Sequence, residues 1–210
     1  MKLLLSKAMK RRLLLALLFI ASWSQAAAQD TPEKQDRPKN KWYAPDYLVA
    51  QHAGLIGILA AGVGYDFGRH DRTNVELMYG FTPNYGIKNT THTFTTRLYY
   101  QSHPKPLVGD FKISWIRAGA GISMTIGEQF ETFFPKKYPR GYYIWPTATR
   151  ILPFVGTAVG RDFKGKTRPL YGEFYGEIGS ADVLIIDKYR NSGIAVTDIL
   201  NLAIGLRLKI

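Results

Sequence analysis

The 210-residue sequence predicts an all-β protein, an eight-stranded antiparallel up-and-down β-barrel, and three observations lead there. After Trp42, apolar and polar residues alternate with a period of two over eight segments, and no segment there repeats with the 3.6-residue period of a helix. The connections between segments are alternately short and long, which keeps successive strands antiparallel neighbours. Finally, 20 glycines and 13% aromatics accompany only 21% charged residues, a composition too apolar for a disordered chain. The chain has no cysteine, which excludes disulfides and thiolate metal sites.

The first 28 residues read as an export signal. Lys2, Lys7, Lys10, Arg11 and Arg12 precede an apolar run, Leu13 to Trp23, and Ser24-Gln25-Ala26-Ala27-Ala28 offers the small residues of a cleavage site. The apolar run covers roughly 16 Å as a helix, about half of a hydrocarbon core, so a cleaved signal fits better than an anchor. These five cations carry part of the net charge of +12, and export makes nucleic acid a poor partner for the rest. Residues 29–41 are polar, of mixed charge, and hold Pro32 and Pro38, so they read as a solvated tail. The barrel domain is expected over 42–210.

Strands are expected near 46–54, 57–67, 73–82, 91–102, 110–124, 149–162, 168–180 and 197–210. The last is the clearest: Leu200, Leu202, Ile204, Leu206, Leu208 and Ile210 share one face, and Asn201, Ala203, Gly205, Arg207 and Lys209 the other. In the third, Val75, Leu77, Tyr79 and Phe81 oppose Asn74, Glu76, Met78 and Gly80. In the fourth, Phe94, Leu98 and Tyr100 oppose Thr95, Arg97 and Tyr99. In the seventh, Phe174 and Ile178 oppose Glu173, Tyr175 and Glu177. The first, fifth and sixth do not fix their own register, and Pro153 suggests a bulge or a strand start in the sixth. Turns near 68–72, 103–109 and 163–167 fall at one end, with long loops near 83–90, 125–148 and 181–196 at the other.

A 12-residue strand tilted about 45° covers roughly 28 Å of membrane thickness. The polar faces carry both charge signs, Asp66, Glu76, Arg97, Arg117, Glu173, Glu177 and Arg207, which can pair inside a closed barrel. Aromatics gather toward strand ends, as membrane-interface girdles require. With the signal segment, Gly62-Val63-Gly64-Tyr65-Asp66-Phe67, Ala118-Gly119-Ala120-Gly121 and the stretch Asp198–Ile210, the chain resembles small bacterial outer-membrane β-barrels of the eight-stranded OmpA/OmpX type over about residues 42–210. The resemblance implies a monomeric transmembrane barrel in the outer membrane, N-terminus periplasmic, inserted by the barrel-insertion machinery. Such barrels commonly end in Phe or Tyr, whereas this chain ends in Ile210.

Little in the sequence points to chemistry. His52, His70, His92 and His103 form no metal-ligand spacing, and no phosphate-binding or dinucleotide fingerprint occurs, so neither metal nor cofactor is expected. Outer-membrane lipid A deacylases resemble the chain in size and layout, but their His-x-Ser-Asn motif is missing from Tyr171–Ser180. A catalytic pair of His92 and Ser180 would need the fold to bring them together. The alternatives to a structural or surface-interaction role are therefore a lipid A-modifying enzyme and a soluble periplasmic carrier of lipocalin type. In the longest loop, Lys136, Lys137 and Arg140 stand beside Tyr142, Tyr143 and Trp145, a mix suited to the sugars and phosphates of lipopolysaccharide. Packing of the loop on itself is the competing reading of those aromatics. Eight strands leave an interior that side chains fill, so no open diffusion pore is expected.

Overall fold

The computed structural model describes residues 43–68, 70–84, 89–127, 146, 148–163 and 170–210. The signal segment, the polar tail, and Lys136, Lys137, Arg140, Tyr142, Tyr143 and Trp145 lie outside the described residues. Among these residues run β1 (Tyr47–Ala53), β2 (Leu59–Phe67), β3 (Thr73–Thr82), β4 (Thr91–Gln101), β5 (Lys105–Pro106), β6 (Phe111–Ile126), β7 (Thr149–Phe163), β8 (Leu170–Gly179) and β9 (Asn201–Lys209). Each long strand pairs antiparallel with its chain neighbours, β4 pairs with β6, and β9 returns to β1 through Leu48↔Leu208 and Ala50↔Leu206. The result is a closed eight-stranded antiparallel up-and-down barrel, with β5 a two-residue spur on β6. Followed once around, the pairings return to β1 displaced by about ten residues, a stagger that tilts eight strands by about 40°.

Where the strands alternate regularly, the alternation has one orientation. In β9, Ala203, Gly205 and Arg207 are buried while Leu202, Ile204 and Leu206 are exposed. In β3 and β4, Asn74, Glu76, Thr95, Arg97 and Tyr99 turn inward while Leu77, Tyr79, Phe94 and Leu98 turn outward. The apolar residues Ile56, Leu152 and Ala181, buried near the long-loop end, belong to one hydrophobic cluster against which Leu55 and Leu184 pack.

Two of the three strands of uncertain register, β6 and β7, show a physical reason for it. In β6 the pairing with β7 shifts between Ser114 and Arg117, so Trp115 and Ile116 both face outward and the period of two breaks. In β7 apolar residues lie on both faces, with Leu152 and Ala158 buried opposite exposed Val155, so hydropathy cannot choose between them. Pro153 sits inside β7 without a bulge of its own. Its carbonyl accepts from Ser180 N–H at 3.1 Å, just past the last ladder pair Phe154↔Gly179, so its missing N–H falls at the very end of the β7–β8 pairing.

Two expectations are corrected. The segment after β8 is not a plain loop: it contains α1 (Asp182–Arg190) and the single turn α2 (Val196–Ile199), and β9 begins at Asn201 rather than near 197. The helix α1 carries Asp182 in its first turn and Lys188 and Arg190 in its last, favourable at the two ends of its dipole. Its apolar residues, Val183 to Ile186, are consecutive, so no 3.6-residue period announces it. Similarly, the connection after β4 continues as a hairpin, with Lys105↔Ile113 and Pro106↔Lys112 paired beyond the rim.

Candidate functional site: a charged barrel interior and a pocket above it

Strand parity brings Asp66, Glu76, Arg97, Arg117, Glu173, Glu177 and Arg207 into one buried network. Glu76 lies 2.9 Å from Arg117 Nη2 and 3.2 Å from Arg97 Nη1. Glu177 pairs with Arg97 and, at 2.5 Å, with Arg117 Nε. Glu173 meets Arg207 Nε at 3.1 Å, and Asp66 meets Arg207 Nη2 at 3.4 Å and Lys209 Nζ at 2.5 Å. With Lys209, four cations face four anions, so this network is electrically balanced. Balance matters because an unpaired charge at such depth costs several kcal/mol.

Polar neighbours satisfy many of the remaining donors and acceptors, while Glu76 Oε2 and Arg207 Nε meet their partners as ion pairs alone. Tyr99 OH donates to Glu76 at 2.6 Å, and Gln101 Nε2 donates to Glu173 at 3.0 Å while its oxygen accepts from Arg117 at 2.9 Å. Gln51 accepts from Arg97 at 2.9 Å and from Tyr175 OH at 3.1 Å, and Asn74 accepts from Arg207 at 2.8 Å. Aromatic faces cover the guanidinium planes: Arg207 lies 4.0 Å from the Tyr47 ring, Arg117 4.0 Å from Tyr99 and 4.2 Å from Tyr175, and Arg97 4.0 Å from Phe154. The Tyr47 and Tyr175 rings fit because a glycine stands where each lies against the wall. A Cβ on Gly64 would lie 2.0 Å from Tyr47 Cζ, and one on Gly205 2.3 Å from Tyr175 Cζ.

The sequence reading set Tyr99, Tyr175 and Lys209 on the polar faces but left them, with Tyr47 and Phe154, out of the network. Tyr99 and Tyr175 share the parity of Arg97 and Glu173, which was signal enough to place them inside. Tyr47 and Phe154 lie in the strands of uncertain register and gave no such signal.

Toward the long-loop end the network opens into a cavity of about 40 Å³. Leu55, Ile56, Leu152 and Phe154 form its apolar walls, and Arg97, Glu177 and Thr95 line it too. A space of that size holds one or two waters, not an acyl chain. Thr95 Oγ1 is buried with no protein hydrogen-bond partner, a fit for such water.

The structure does not bring His92 and Ser180 together. His92 points outward, its Nδ1 2.6 Å from Tyr79 OH and its ring stacked on Tyr79. Ser180 is buried on the far side of the barrel wall and donates to the Ile199 carbonyl at 2.7 Å. Among the described residues, no group of three or more His, Asp or Glu side chains is arranged to hold a metal.

The fold and its interior define a class: a closed, eight-stranded, up-and-down barrel filled by a balanced network of ion pairs. No protein family matches the chain, and neither a curated protein nor a solved structure does.

Proposed function

We propose that this is an integral β-barrel of a bacterial outer membrane, reached through a cleaved signal peptide, with a structural or surface-interaction role and no catalysis of its own. The observation that carries the reading is the reversal of hydrophobicity. Leu98, Ile122, Val155, Leu202 and Leu206 are each more than half exposed, while Glu76 and Arg117 are fully buried. In water the hydrophobic effect drives the opposite arrangement. A bilayer supplies the apolar surroundings this outer face lacks, and closure leaves no sheet edge unpaired there. Strands of about ten residues tilted by about 40° span roughly 25 Å, the height of the apolar band of such barrels.

Aromatics flank the band on both sides. Tyr79, Phe81 and Phe94 are exposed toward the long-loop end, and Phe67, Tyr100, Phe111 and Phe163 toward the short-turn end. A lipocalin-like carrier would need an apolar lumen, and the ionic filling argues against it. A lipid A deacylase would need a nucleophile beside its base, which the separate settings of His92 and Ser180 do not offer. Surface interaction would fall to the long loops, with Lys136, Lys137, Arg140, Tyr142, Tyr143 and Trp145 meeting lipopolysaccharide. The filled interior favours a sealed monomeric barrel over a pore.

The test is fractionation followed by electrophoresis of unheated and boiled samples. An outer-membrane barrel stays in the pellet after a carbonate wash and changes mobility when boiled. Release by the wash, with one mobility throughout, would overturn the reading in favour of a soluble barrel.

A further inference from the structure

We infer that the β1–β2 turn is a plug, folded into the mouth of the barrel so that Leu55 and Ile56 close the lumen above Arg97 and Glu177. The inference needs only the closed barrel and holds whether or not the outer face meets lipid. β1 ends at Ala53 and β2 begins at Leu59, so Gly54-Leu55-Ile56-Gly57-Ile58 joins two antiparallel strands that a two-residue turn could join. None of the five carries a polar side chain, whereas a turn lying in water is ordinarily built from polar residues, glycine and proline.

The backbone shows where the turn goes instead. Gly80 shares the parity of Glu76 and Met78, so a side chain there would point into the lumen. A Cβ on Gly80 would lie 1.7 Å from the carbonyl oxygen of Ile56, so the turn already occupies that space. On the other flank, a Cβ on Gly54 would lie 3.0 Å from the Cβ of Ala203, an inward residue of β9. The turn therefore reaches from β9 to β3, the strands on either side of its own pair. Ile56 is 4% exposed, and Leu55 packs against the same apolar cluster. This path holds Ala53 at a left-handed φ of +62°, which a residue with a Cβ keeps only where its surroundings enforce it. Leu55 and Ile56 also line the cavity of about 40 Å³, together with Thr95, Arg97 and Glu177. The plug keeps solutes on the long-loop side away from the upper end of the ion-pair network, where scarce water makes each pair stronger.

The chain has no cysteine, so one introduced thiol reports access at one place. Thr95→Cys sets it in the cavity, at a buried position. The folded full chain is treated with methyl methanethiosulfonate, a small thiol reagent, and mass spectrometry follows the modified fraction over time. T95C is expected to react at least about a hundredfold more slowly folded than in urea, as a group reached only by local opening does. Ile56→Gly in the T95C background is expected to raise the folded-state rate at least about tenfold, and Ile56→Ala by a smaller factor. Ile58→Ala, at an exposed position of the same turn, is expected to leave it unchanged. Circular dichroism checks that each variant keeps its β-sheet, and Ile56→Ala carries the test if the glycine variant loses it. T95C reacting as fast folded as unfolded would reveal an open mouth and overturn the plug. Slow reaction unaltered by the change at Ile56, or equal acceleration by Ile58→Ala, would overturn it too, because closure would then not depend on the Ile56 side chain.

Discussion

Replacing Glu76 by alanine tests the central claim about the interior. The carboxylate is fully buried, sits 2.9 Å from Arg117 and 3.2 Å from Arg97, and accepts from Tyr99 OH at 2.6 Å. Its loss leaves three arginines and Lys209 facing three acids, with Tyr99 OH deprived of its acceptor. Removing one member of a buried pair costs about 3–5 kcal/mol, because the remaining charge keeps its desolvation without its partner. That corresponds to a shift of roughly two to three and a half decades in the folding equilibrium. Replacing both members, as Glu76→Leu with Arg117→Met, restores neutrality and should cost less than the sum of the two single changes. The assay is reversible urea unfolding from lipid vesicles, followed by gel mobility and by the fluorescence of Trp115 on the outer wall. A cost below about 1 kcal/mol for E76A, or strict additivity in the double variant, would refute the idea that the network acts as a paired unit.

Three further outcomes are expected. Gly64→Ala and Gly205→Ala should each destabilise the barrel by about 1–3 kcal/mol in the same unfolding assay, because a methyl there displaces the Tyr47 or Tyr175 ring from its arginine. Leu206→Arg, on the outer face of β9, should cost about 2–4 kcal/mol in bilayers; a cost near zero would count against membrane burial of that face. Changing Lys136, Lys137 and Arg140 together to alanine should weaken lipopolysaccharide binding by the refolded protein, and unchanged affinity would assign those cations no part in it.

The sequence by itself determined the strand count, the near-ends of most strands and which residues share a face. A period of two is a property of the extended backbone, so Leu202, Ile204 and Leu206 must part from Ala203, Gly205 and Arg207 whatever the fold. It could not reach the places where parity is broken or carries no information. Trp115 and Ile116 form a bulge whose position depends on the pairing of β6 with β7, and β7 is apolar on both faces. The helix after β8 was hidden because its apolar residues are consecutive rather than spaced by a turn.

Only the tertiary structure decided who meets whom inside. Glu76 and Glu177 are about a hundred positions apart, yet both grip Arg97 and Arg117, because closing the barrel brings four separate strands to one level. The same closure kept His92 and Ser180 apart by turning one outward and the other inward. Alternation is local and can be read along the chain. The stagger that stacks arginine on tyrosine is a sum over eight registers, and no single strand contains it.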